Sequence, residues 1–428
     1  MPNTAVDVSS MMFRLTFIVF LALGCPYNAE FTDYFGQSRL VYEWTTVDFV
    51  WPSPNDRSEA LRNGSFIPER NLIAGIKVYK ATLYLTIPRW RWVSGQPATL
   101  TKVVEIGGQA KLQPYPSWAE QKVGDCNALQ YVQSMEVDPN TGLMYVIDTG
   151  TVGIRGNDTT STRCPAKIVV FNLETDQKVS SYELPENFVS RDNFLNDIVL
   201  QYVNGKVKYA YMSDVIEGRL HVFDFDTLMG RNFEDQSMKP EPNNGTVIRV
   251  NGVDYNYRAG LDGIAMSYDF KYIYYCPLGG YNVYQLPTAS LTSAETPKPR
   301  LLGRKISQSD GLTYGIDRLY YGALGLNAVY FWSLSHAMRV QGLPADKVVM
   351  EQQSEVVRGD MDKQWPDTFA WDDQGYLYFV SNRLHLFNSN TMDFSGHDRS
   401  NMRVWKVWVN DTSYLYQANL RTQQSIVG

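Results

Sequence analysis

Ser134, Asp197, Asp262, Asp310 and Asp367 recur along a chain of 428 residues at intervals of 63, 65, 48 and 57 positions. Each stands at the start of a short apolar run. A carboxyl group that is buried, or placed beside a second carboxyl, has its pKa raised toward neutrality and becomes a general acid or base. The same groups rimmed by aromatic rings would attract a cationic aromatic amine. They would also serve as acceptors for backbone amides of neighbouring elements. A second recurring set, Asp148, Asp214 and Asn382, lies at the far ends of the runs that follow.

Other chemistries find little material. The chain has 4 histidines, and His221 and His385 sit in runs that alternate with apolar residues, as packing residues do. Cys276 lies in the apolar run from Ile273 and reads as a small buried group. No glycine-rich phosphate loop, Gly-x-Ser-x-Gly elbow or His-Glu-x-x-His pair is present, which removes nucleotide, serine-hydrolase and zinc-protease readings. A calcium-dependent lactonase would need an oxygen cage, commonly including Glu; the recurring positions offer Asp. No metal and no cofactor is expected, and no catalytic residue is assigned.

The elements that must position the aspartates form a repeat: an apolar run, a tight turn, a Tyr- or Val-rich run, a gap and a third run. It is seen at 135–173, 197–225, 263–286, 311–332 and 368–408, with a less regular copy at 76–104. Asp138, Asn204-Gly205 and Asp373-Gln374-Gly375 supply turn chemistry between the runs. Six such units predict an all-β fold, a single six-bladed β-propeller with a central channel spanning 25–428. Blade-initial residues would face that channel. A strand near 40–50 is expected to close the ring as the outer strand of the last blade, covering an edge that would otherwise aggregate.

Composition agrees: 44% hydrophobic, 20% charged and 13% aromatic, with 28 Tyr, suits a folded chain rich in strands. A net charge of −6 without a basic run argues against nucleic acid. Arg14 and the apolar stretch 15–24 read as a signal peptide over 1–24, too short to span a bilayer. No later stretch has membrane length. Asn63, Asn157, Asn244 and Asn410 open glycosylation sequons. Of the 4 cysteines, Cys126 and Cys164 are expected to pair in an oxidising compartment, leaving Cys25 and Cys276.

Several stretches together carry a resemblance: Ile87-Pro-Arg-Trp-Arg91 with Pro97-Ala-Thr-Leu100, Leu129 through Asp138, Val146 through Gly150, Cys164-Pro-Ala-Lys167, Tyr211-Met-Ser-Asp214, and Phe379 through Leu384. With these in order, the chain resembles the yellow/major royal jelly family of secreted β-propellers. The resemblance implies an extracellular protein connected with pigmentation or cuticle, binding a small aromatic amine or catechol-derived ligand in the channel. Some members convert dopachrome, which implies an isomerase as the alternative; a structural or storage role is the third. By motif position it also implies ligand contacts at Thr368 and Asn382, added to the channel set Asp197, Asp262, Asp310 and Asp367.

Overall fold

The computed structural model describes residues 35–154, 164–242, 245–397 and 399–416. The leader at 1–24, Cys25, Asn157 and Asn244 lie outside them.

Six four-stranded antiparallel sheets form the blades. Their innermost strands are Ile76–Tyr79, Val132–Asp138, Leu195–Val203, Leu261–Met266, Leu312–Tyr314 and Pro366–Trp371. Consecutive innermost strands touch, and the last touches the first, so the ring closes. Burial explains the repeat seen in the sequence. Val132–Asp138 is buried at every residue, Val132, Met135 and Val137 as well as the polar residues between them, because an inner strand packs against neighbouring blades on both faces. The outermost strand of that blade, Gln177–Glu183, is mostly exposed and polar.

The turns between inner and second strands use left-handed residues where the sequence placed them, among them Asn204 at φ 53° and Gly375 at φ 89°. Arg39–Trp44 pairs antiparallel with Met402–Trp408 as the outermost strand of the sixth blade. The chain then crosses to the first blade, where Leu112 exchanges backbone hydrogen bonds with Asp48 and Val50 at 3.0 and 2.9 Å. One short N-terminal segment thus ties the last blade to the first.

Cys126 and Cys164 form a disulfide. Cys276 is a free, buried thiol. Asn63 and Asn410 are both exposed, as a glycan acceptor must be. Replacing Cys126 and Cys164 together by Ser should lower stability by about 3–4 kcal/mol on the chain-entropy account of a loop this long. The measurement is the guanidinium midpoint of the double variant against that of the parent.

Candidate functional site

Four of the six inner strands begin with a register shift against their neighbour. In blades two, three, four and six the shift falls between Val132 and Met135, Leu195 and Ile198, Leu261 and Ile264, and Pro366 and Phe369. A bulge adds residues to one strand and re-aims their side chains. The bulge pairs are Gln133-Ser134, Asn196-Asp197, Asp262-Gly263 and Asp367-Thr368; Asp310-Gly311 stands in the equivalent place of blade five. The first residue of each pair reaches one open cavity, lined by Gln133, Asn196, Asp262, Asp310 and Asp367. Trp90, Phe194, Tyr255, Tyr257, Val215, Leu278 and Leu384 complete its wall.

Three carboxyls can meet there because two glycines let the strands approach. A Cβ on Gly263 would stand 2.5 Å from the Asp310 carbonyl, and one on Gly311 would stand 2.6 Å from that of Asp367. Any side chain at either position would push the blades, and the carboxyls, apart.

Asp262 and Asp310 are hydrogen-bonded to each other through their side chains. Two buried carboxylates cannot make that contact while both are ionised, so the pair holds a proton. Burial pushes both carboxyls upward, and the Asp310 charge adds to the effect on Asp262. The Asn196 amide donates to Asp262 Oδ1 at 2.8 Å, and the Trp365 indole donates to Asp310 Oδ2 at 2.6 Å. Trp365 adopts a left-handed backbone, φ 56°, uncommon for a bulky residue and found where the surroundings impose it. His385 stacks on that indole at 5.9 Å, and burial lowers its pKa to about 4, which keeps the ring neutral. Asp367 is likewise raised by burial, then by the charge on Asp310.

A two-stranded hairpin inserted between blades three and four, Val247–Val250 with Val253–Asn256, crosses this mouth. The Gln308 amide holds it through the Val247 carbonyl at 2.9 Å, and Asn388 Nδ2 donates to the Tyr255 hydroxyl at 2.9 Å. Tyr255 packs edge-on against Trp365 at 5.6 Å. At the other end of the channel the segment after the last strand fills the space. The Tyr414 hydroxyl accepts the Leu200 N–H at 2.8 Å, and Asn140 Nδ2 donates to the Leu415 carbonyl at 2.7 Å.

Of the residues singled out from the sequence, Asp262, Asp310 and Asp367 line the cavity and the others do not. Asp197 occupies the second place of its bulge and turns inward, accepting from the Ser134 hydroxyl at 3.0 Å; burial raises its pKa to about 6. The Thr368 hydroxyl donates to the Ala74 carbonyl. Asn382 lies behind the wall, donating to Asp367 Oδ2 at 2.6 Å and to the Ile73 carbonyl at 2.9 Å. It positions Asp367. The sequence reading missed Gln133, Asn196, Trp90 and the hairpin tyrosines; the amide side chains directly preceding Ser134 and Asp197 were the available signal.

The family model described as major royal jelly protein matches residues 131–414. "Protein yellow" of Drosophila yakuba and of Drosophila melanogaster are each 28% identical over 392 residues, covering 85% of this chain and 67% of theirs. Among solved structures, a luciferin-regenerating enzyme aligns at a TM-score of 0.46 with 16% identity, covering 82% of this chain and 96% of its own. With the match running from the second blade to the segment that fills the channel, this chain belongs to the major royal jelly protein family.

Proposed function

We propose that this is a secreted, yellow-like protein of the pigmentation or cuticle pathway that binds a small aromatic amine or catechol-derived ligand over Asp262, Asp310 and Asp367. One observation carries the reading: a single cavity joins three buried carboxyls to the rings of Trp90, Phe194, Tyr255 and Tyr257. Carboxylate and ring faces both attract an aromatic cation. Secretion is supported by the apolar leader, the disulfide and the exposure of Asn63 and Asn410.

The shared proton of Asp262 and Asp310 favours a second reading, an isomerase acting on dopachrome. The ionised carboxyl takes a proton from ring carbon while its protonated partner delivers one to the quinone oxygen. The C–H electron pair moves toward the ring and leaves a quinone methide; a second such transfer, from the adjacent carbon to the other quinone oxygen, restores aromaticity, and each transfer leaves the proton count of the dyad unchanged. Transfer across the hydrogen bond between the two carboxyls then resets the pair.

Loss of dopachrome absorbance with purified protein, against a heat-inactivated control, separates the readings. Saturable acceleration establishes the isomerase. No acceleration together with saturable heat on titrating dopamine or serotonin establishes the binder. Absence of both, with no ligand-induced rise in melting temperature, refutes both and leaves a storage or structural role.

A further inference from the structure

The third blade carries an arrangement unrelated to the channel cavity. Asp214 ends its second strand and Arg219 opens its third, paired in register. The second blade has the same pairing between Asp148 and Lys167. Both aspartates are fully buried and cap backbone amides: Asp148 takes the N–H groups of Gln130, Tyr131 and Gly150, and Asp214 those of Phe194 and Glu217. In the second blade a buried cation accompanies the cap, with Lys167 Nζ 3.6 Å from Asp148 Oδ2. In the third, Arg219 pairs with Glu217 and Glu234 at 3.0 Å each. The nitrogen facing Asp214 Oδ2 is instead His221 Nε2, at 3.7 Å.

The tautomer of His221 is set by its neighbours. Asn232 Nδ2 donates to the Phe188 carbonyl, so its Oδ1 faces His221 Nδ1 at 2.7 Å as an acceptor. Nδ1 therefore carries the hydrogen, and Nε2 of the neutral ring points a bare lone pair at a carboxylate. His221 is fully buried, and Nε2 has no hydrogen bond. Glu217 Oε2 beside it is held by an ion pair to Arg219 at 3.0 Å and makes no further hydrogen bond. A fully buried imidazole nitrogen without a hydrogen bond, facing a buried carboxylate at 3.7 Å, leaves a place that a cation between them would satisfy.

We propose that Asp214, Glu217 and His221 form a binding site for a divalent transition metal of the zinc class. One donor atom from each lies within 4.8 Å of the others. Atoms each about 2.1 Å from a zinc ion stand up to about 4.2 Å apart, so the 3.7 Å between His221 and Asp214 already admits the ion. Glu217, on the turn, needs only to rotate its side chain off Arg219, which keeps Glu234. An imidazole donor selects zinc, cobalt, nickel or copper over calcium or magnesium. Asn232, which fixes the tautomer, is the outer support that metal-bound histidines use.

The test is titration of the chelator-treated full-length protein with Zn²⁺ alone, followed by calorimetry, and with Co²⁺ followed by visible absorption. One ion per chain is expected, with His221→Phe and Glu217→Gln each weakening it more than about tenfold. Glu217→Gln, on a partly exposed turn, keeps the test open if the buried variant does not fold. Absence of stoichiometric binding, or binding that both variants leave unchanged, overturns the proposal. Absence of zinc binding together with an imidazolium NMR signature for His221 at pH 7 overturns it in favour of a proton as the cation.

Discussion

Asp262→Asn is expected to remove turnover of a quinone ligand while raising the melting temperature at pH 7–8. The amide keeps the acceptor that Asn196 uses at 2.8 Å, and its own N–H can donate to Asp310, so the local geometry survives. It can neither accept nor release the proton that the pair shares. Loss of a positioned acid or base costs about 10²–10⁴ in rate, and that is the loss to look for in dopachrome conversion. If the protein only binds, the same variant should weaken an amine ligand and leave no rate to lose.

The stability change follows from linkage. An aspartate in the unfolded chain titrates near about 3.9, whereas burial and mutual contact raise the folded values of Asp262 and Asp310. Between those values the folded state holds more protons than the unfolded one. Stability is therefore complete below pH ~4 and is lost as pH rises through the folded range. Asn at position 262 leaves one ionised carboxyl with a donor, so that loss largely disappears. What persists comes from Asp197, raised to about 6 by burial and opposed by Lys77, and from Asp367, Glu136 and Asp411, each also raised by burial. A rise of about 2–4 °C at pH 7.5, vanishing near pH 4, is the expected pattern. A variant less stable than the parent at both pH values would show that the pair is held by structure alone.

The second large effect concerns Arg89, buried to 2% exposure. Its guanidinium donates to the carbonyls of Gln96, Pro97, Gln121, Leu129 and Gln130, at 2.7 to 3.2 Å. Burial lowers its pKa to about 10, and the nearby Asp148 charge partly opposes this. One side chain thus ties three loops together and fixes the backbone beside Trp90, part of the cavity wall. Arg89→Met would leave five acceptors without donors at about 1–3 kcal/mol for each that water cannot reach. The total should exceed about 4 kcal/mol, at the extreme of single substitutions. Arg89→Lys should recover only part of it, because an ammonium lacks the planar fork that reaches all five. Guanidinium denaturation of both variants measures this; a loss under about 1 kcal/mol for Met would mean that water replaces the guanidinium.

Sequence alone determined the sheet architecture. Strands packed on both faces read as apolar runs, as Leu143–Asp148 does up to its last residue, and hairpins need left-handed residues at fixed places, as at Asn204 and Gly375. These are local requirements, so the six-fold repetition was legible before any contact was known. The site was legible only in part. Asp262, Asp310 and Asp367 were found because each carboxyl is the blade-initial residue that faces inward. In the second and third blades the bulge holds two polar residues in a row, and spacing cannot tell which one turns to the cavity. The structure places Gln133 and Asn196 there, with Asp197 bonded to Ser134. The hairpin bearing Tyr255 stayed hidden because its strands, Val247–Val250 and Val253–Asn256, pair among the described residues only with each other and follow no repeat. Only tertiary structure could decide the proton shared by Asp262 and Asp310: residues 48 positions apart in sequence touch because Gly263 and Gly311 let adjacent blades close on one another.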